Sequence, residues 1–142
     1  MVNMTILLDT NVVLDILLNR QLWYTDAALI FGLAQRNLVK AYISASAVTD
    51  LFYVTQKEQG KLAARQAISR LLRVFYPATV TDRNVYEALE LEWDDFEDSL
   101  QFTVGEALSA EYIVTRNTQD FPALSIRVVT PEQFIKAITI ID

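Results

Sequence analysis

Along the chain, brief apolar runs alternate with stretches whose apolar residues recur at helical spacing. Thr5–Leu8 is an apolar run that stops at Asp9 and reads as a first buried strand. Asn11–Leu18 is apolar almost all round, at positions 12, 13, 14, 16, 17 and 18, and predicts a buried helix. Leu22–Gln35 is helical by period through Ala27, Ala28, Ile30, Phe31 and Ala34, and Lys40–Ile43 is a short second strand. Ser44–Glu58 returns to helical period through Val48, Leu51, Phe52 and Val54; Gly60 punctuates it before a further amphipathic helix, Lys61–Val74. Ala78–Val80 reads as a third strand, Asp82–Leu91 and Phe96–Ala110 as helices, Tyr112–Val114 as a strand and Ile126–Val129 as the last strand. Thr130-Pro131-Glu132-Gln133 is a helix start, with Thr as N-cap, Pro at the first position and Gln three residues after the cap. Strands alternating with helices predict an α/β fold, a three-layer α/β/α sandwich around a short, mostly parallel sheet of four to five strands. A single domain over residues 1–142 is expected from the length.

Composition narrows the chemistry. Hydrophobic residues make up 52% and mean hydropathy is +0.21, which suits a parallel sheet covered on both faces. Cysteine is absent, which removes disulfides, thiolate zinc sites, iron–sulfur clusters and cysteine nucleophiles. Histidine is absent too, so no Ser-His-Asp triad, histidine base or imidazole–metal site can exist. Any catalysis falls to carboxylates, lysines, hydroxyls and amides, and carboxylates favour Mg²⁺ or Mn²⁺ over zinc. Net charge is −6, against a general nucleic-acid coat. Locally, however, Lys57, Lys61, Arg65, Arg70 and Arg73 share a segment with one acid, Glu58. The start of the chain has no basic n-region and Asp9 interrupts its apolar stretch, so no signal peptide is expected. No apolar run approaches the roughly 18 residues of a membrane span. A cytoplasmic protein is the expectation.

In open α/β sheets the functional crevice lies outside the carboxyl ends of the strands. The first strand ends in Asp9-Thr10-Asn11, and Ile113-Val114 ends in Thr115-Arg116-Asn117 with Asp120 three residues on. Asp9 alone could simply cap the next helix; two polar strand ends with carboxylates on one edge point to a site. Asp50 lies in the helix after the second strand, where Asp is a poor interior residue. It belongs either to a solvated face or to the crevice. Residues 87–98 contain seven acids, most of them solvated surface. Asp94 and Asp95 suit a turn or helix start, and Asp98, one turn in, is the acid expected to face the site.

These residues resemble the PIN domain family, which includes the VapC-type toxins of bacterial toxin–antitoxin pairs, and the resemblance runs across essentially the whole chain. Its most specific parts are Leu7-Leu8-Asp9-Thr10-Asn11-Val12 and Ile113-Val114-Thr115-Arg116-Asn117-Thr118-Gln119-Asp120-Phe121. Asp95-Phe96-Glu97-Asp98-Ser99-Leu100-Gln101 is similar to the stretch carrying the family's third acid, and Val129-Thr130-Pro131-Glu132-Gln133-Phe134 to its last strand and helix. The resemblance implies a ribonuclease that uses Mg²⁺ or Mn²⁺. Asp9 matches the first acid, Asp98 the third and Asp120 the fourth; Thr115 and Asn117 match polar residues of the last loop. The second acid is usually Glu, and the matching Asp50 departs from it with a shorter arm.

Four crowded carboxylates repel one another, and a divalent cation relieves that repulsion. Asp9 and Asp98 are the primary expected ligands, Asp50 and Asp120 bind directly or through water, and Thr10, Asn11, Thr115 and Asn117 orient ligands or waters. With no histidine, a water activated by the cation is the expected nucleophile. In-line attack on RNA would leave a 5′-phosphate and a 3′-hydroxyl, as the family mechanism implies. Arg116 is the candidate phosphate contact. Lys57, Lys61 and Arg65 would form a basic stripe if their helix were continuous, and Trp23, Tyr24 and Trp93 are candidates for base stacking as well as for core. The family implies an RNA substrate, a small antitoxin partner and a homodimer. The alternatives are a PIN-like module that binds RNA or protein without cutting, and a phosphoacceptor receiver, which would need a Lys at a strand end near the site; Lys40 instead begins a strand.

Overall fold

The computed structural model describes residues 4–122 and 125–141, with side chains through Thr139. Five strands form one sheet in the order β3-β2-β1-β4-β5, and every neighbouring pair is parallel. β1 (Met4–Leu8) is central, between β2 (Val39–Ser44) and β4 (Tyr112–Val114). Leu8 is in register with both Ile43 and Val114, so β1 and β4 end level and β2 runs one residue further.

Side chains alternate across the pleat. Ile6 and Leu8, with Ala41, Ile43, Tyr112 and Val114, face one core. It is covered by α1 (Thr10–Leu17), α2 (Tyr24–Gln35), α3 (Val48–Gln59), α4 (Lys61–Leu71) and α7 (Pro131–Ile141). Leu7 and Ile113 face a second core with Phe102 and Val104 of α6 (Phe96–Ala107), which pairs with α5 (Asp82–Leu91). This is the expected three-layer sandwich, with the sheet at the upper expected strand count.

Differences from expectation lie at element edges. The third strand is Tyr76–Ala78 rather than Ala78–Val80, paired Tyr42 to Tyr76 and Ser44 to Ala78. Pro77 is tolerated because β3 is an edge strand. The segment Ser44–Glu58 begins as a 3₁₀ turn, Ala45–Ala47, which places Asp50 in the first turn of α3 rather than in a helix interior. Gly60, at φ 92, breaks the chain between α3 and α4. Lys57 therefore lies on one helix and Lys61 and Arg65 on the next, and the basic stripe does not form. Gly105 lets α6 approach the sheet: a Cβ there would stand 3.2 Å from Ile126 Cδ1 and 3.3 Å from Ile113 Cδ1.

The C-terminal helix closes the larger core through Phe134, fully buried and edge-on to Tyr112 at 5.3 Å between ring centroids. Phe134→Ala is expected to lower the unfolding free energy by about 3–5 kcal/mol, measured by urea denaturation with an unchanged denaturant slope.

Candidate active site at the carboxyl edge of the sheet

Asp9 lies between β1 and α1, and its backbone is still held in the sheet by an N–H bond to the Val114 carbonyl at 2.9 Å. Its side chain turns back as the N-cap of α1. A carboxylate only 6% exposed needs donors, and three reach it. The Thr10 backbone N–H donates to Oδ1 at 2.7 Å, Gln101 Nε2 donates to Oδ1 at 2.6 Å, and the Thr115 hydroxyl donates to Oδ2 at 2.7 Å. Both roles considered for Asp9 thus coincide: it caps a helix and sits in the crevice.

Thr115 follows β4 directly, and its Oγ1 also accepts the Asn117 backbone N–H at 3.1 Å. Asn11 Oδ1 accepts the Arg116 backbone N–H at 3.4 Å, tying the start of α1 to the same loop. The Thr10 hydroxyl donates to Glu97 Oε1 at 3.4 Å. Among the polar residues expected to support the acids, Thr10, Asn11 and Thr115 act through side chains and Asn117 through its backbone.

Asp98 is brought in by α6, whose N-cap Asp95 accepts the Asp98 backbone N–H at 3.2 Å. Burial, and then the charges of Asp9, Asp95, Asp120 and Glu97, push the Asp98 carboxyl up to about 7. Glu97 is pushed up as well, by burial and then by Asp50, Asp9 and Asp95, with the Thr10 hydroxyl partly offsetting. Asp120 belongs to the 3₁₀ turn Thr118–Asp120 and is exposed, yet near enough to act on Asp98. Asp50, also exposed, acts on Glu97. Two clefts are lined by residues of this acidic group. One of about 180 Å³ is lined by Ser46, Asp50, Glu97 and Gln101, and one of about 430 Å³ by Trp93, Asp95 and Asp120.

The sequence matches the PIN domain family over residues 5–119, most of its length and all but one residue of the Asp9–Asp120 span. The chain belongs to the PIN domain family. No curated protein matches the sequence. Solved structures share the fold at low identity. VapBC2 from Rickettsia felis, bound to a DNA fragment from its promoter, is 18% identical with a TM-score of 0.67, covering 88% of this chain and 97% of that one. A toxin–antitoxin complex from Klebsiella pneumoniae is 22% identical with a TM-score of 0.66, covering 88% and 96%. Mycobacterium tuberculosis VapC20, a sarcin–ricin-loop-cleaving toxin, is 18% identical with a TM-score of 0.66, covering 86% and 98%.

This PIN domain gathers Asp9, Asp98 and Asp120 electrostatically, with Asp50 reaching them through Glu97. Yet among the described residues no three acidic side chains converge closely enough to hold one ion. Even so, the donor set suits a hard divalent cation, because it is all oxygen and one of its two buried members, Asp98, is held from ionising by burial and then by its neighbours' charge.

Two residues were not singled out from sequence. Glu97 was submerged in the acidic run, and Gln101 was read only as part of a motif. Helical spacing offers a signal for both, since Glu97, Asp98 and Gln101 fall within one turn of one another.

Arg116, the candidate phosphate contact, is engaged from the protein side. Its Nε lies 3.0 Å from Oδ2 of Asp15, which is fully buried, and its guanidinium stacks on Trp23 at 3.9 Å from the ring centroid. Arg20 approaches the other Asp15 oxygen at 3.6 Å. Burial raises the Asp15 pKa, and the two arginines oppose that rise. Trp93 packs against Phe102 and Phe121 at the margin of the second core and is half-buried, with part of its surface lining the cleft beside Asp120. A larger cleft of about 620 Å³ lies elsewhere, beside Tyr42, Ala78, Asn84 and Thr103. Its buried Asn84 and Thr103 bond each other's main chain.

The Asp98 shift has a definite sign for stability. Its folded pKa of about 7 exceeds the ordinary value, so the protonated carboxyl favours the fold. That contribution is complete below about pH 4 and is lost as pH rises to about 7. In metal-free buffer, Asp98→Asn is expected to melt above the parent protein at pH 8, with the gap closing towards pH 4; calorimetric scans across that range check it.

Proposed function

We propose that this PIN domain is a divalent-metal-dependent endoribonuclease, the toxin of a toxin–antitoxin pair. The observation that carries the reading is the buried, triply hydrogen-bonded Asp9 beside Asp98, at the carboxyl edge of a parallel sheet. The three similar solved structures are described as toxins or toxin–antitoxin complexes, which supports the biological assignment.

Asp9 and Asp98 would hold Mg²⁺ or Mn²⁺, with Asp120 and Asp50 completing the set directly or through water. The cation, once bound, supplies Lewis acidity for activating water and neutralising charge on a phosphodiester. The chain's own residues do the rest. Thr115 and Gln101 fix the Asp9 carboxylate in place. Asp98, protonated below about pH 7, must give up its proton to ligate, which ties metal affinity to pH. Arg116, paired through Nε with Asp15 and stacked on Trp23, adds positive charge beside the loop, and its remaining guanidinium N–H groups would meet an RNA phosphate. The partners in this reading are RNA, a small antitoxin and a second copy of the chain, in the cytoplasm. Among the described residues no helix is long and apolar enough to cross a membrane.

A second reading is a PIN module that binds RNA or a protein partner without cutting. It is favoured by the lack of three converging acids among the described residues, and by Asp50 standing exposed where the family usually has Glu.

One experiment separates them. Purified protein with Mn²⁺ and labelled single-stranded RNA should cleave the RNA, and EDTA should stop it. Asp9→Asn should lower the rate by about 100-fold or more, as several kcal/mol of metal stabilisation are lost. RNA bound intact at saturating Mn²⁺ would instead establish the binding module.

A further inference from the structure

Gln101 lies on α6, three residues after Asp98, and is 2% exposed. Its Nε2 donates to Asp9 Oδ1, while its Oε1, equally buried, has no hydrogen-bond partner. An orphaned carbonyl oxygen in the interior costs free energy. The opposite amide orientation would set that oxygen against a carboxylate, so the amide is locked with its donor on Asp9. Its fixed purpose is therefore best read from what it does to Asp9.

An ionised carboxylate offers about four lone-pair positions, shared between two oxygens. Oδ1 accepts from the Thr10 N–H and from Gln101, so both of its positions are taken. Oδ2 accepts only from Thr115 and keeps one open. Buried as it is, Asp9 has little freedom to trade these donors for others.

We infer that Gln101 confines Asp9 to one coordinating position, on Oδ2, and so biases the centre towards a small octahedral cation and against Ca²⁺. The inference rests on the metal-dependent reading above and deepens it. Mg²⁺ demands near-ideal octahedral geometry and suits single-oxygen ligation, whereas Ca²⁺ takes more ligands and accepts bidentate carboxylates. With the Gln101 donor gone, Oδ1 and Oδ2 each have a free lone pair, and a two-oxygen grip on a larger ion opens. Gln101 is a positioning residue: it acts through Asp9, and the glutamine's length sets how far its amide reaches across from α6.

The test uses the full chain, stripped of metal and titrated separately with MgCl₂ and CaCl₂, with affinities read by calorimetry and by the rise in melting temperature. Three variants accompany the parent protein. Gln101→Met keeps length and burial but loses the donor. Thr115→Val removes the Oδ2 donor and leaves Oδ1 filled. Asp9→Asn removes the ligand itself. The expected result is a shift of the Mg²⁺-to-Ca²⁺ affinity ratio towards Ca²⁺ by about tenfold or more in Gln101→Met, with the parent ratio kept in Thr115→Val. Should Gln101→Met lack a cooperative melt, Gln101→Asn, whose amide falls one methylene short of Oδ1, is held to the same criterion.

An unchanged ratio in the Gln101 variant, in a protein whose binding still depends on Asp9, overturns the inference and leaves the metal reading standing. Equal shifts in the Gln101 and Thr115 variants also overturn it, since loosening alone would then explain both. If the parent protein binds neither Mg²⁺ nor Mn²⁺, or binds them regardless of Asp9, the metal reading itself falls and this inference falls with it.

Discussion

A carboxylate placed at the end of the central strand and closed off from water must be met by donors wherever it points. That requirement organises this end of the molecule. Asp9 is fixed by the sheet, because its own N–H continues the ladder to β4. Its two oxygens then draw in the residue that follows β4, Thr115, and a residue from the opposite helical layer, Gln101. The close approach of α6 to the sheet at Gly105, one turn beyond Gln101, keeps the amide within 2.6 Å of Asp9. A helix held further out by a larger side chain would leave Gln101 unpaired in the interior, where unmet polar groups are costly, and take one of the three donors from Asp9.

The same convergence concentrates negative charge. The N-terminus of α6 delivers Glu97 and Asp98 to a place already occupied by Asp9 and approached by Asp50 and Asp120. Nothing in hydrophobic packing calls for this, and at neutral pH it works against the fold. Such local conflict between stability and arrangement is expected at functional sites. The helix dipole favours acids in the first turn of α6, and Asp95 uses that position as a cap. The dipole does not account for burying Asp98 among like charges.

Much of this was legible in the sequence because strong local patterns agreed with the fold. The strand that stops at Asp9, the polar turn after Val114 and the capped final helix each combine a periodicity with a terminator, and each appears where expected. What escaped depended on distant partners. The short edge strand β3 takes its register from β2, and no local signal selects Tyr76–Ala78, which holds a proline, over the β-branched Thr79 and Val80 that follow. Seven acids within residues 87–98 conceal which ones border the crevice, so Glu97 was hidden beside Asp98. Gln101 looked like an ordinary helix residue until the opposite wall supplied Asp9.

Asp15 shows the same limit from another side. The helix that carries it is apolar almost all round, so an acid inside it has to be buried with a partner, and the sequence names several arginines without choosing. The structure chooses Arg116 and Arg20. Both contacts are close ion pairs rather than well-aligned hydrogen bonds, for neither Asp15 oxygen has a hydrogen-bond partner of good geometry. Burying charges on these terms gives little net stability, but removing one partner strands the other. The consequence is positional. Arg116 is the neighbour of Thr115, so Asp15 and the Trp23 ring grip the loop from behind while Thr115 reaches forward to Asp9. The arginine beside the crevice therefore also holds the loop that presents the threonine. Asp15 carries one negative charge between two arginines, so this corner keeps a net positive charge beside the acidic crevice.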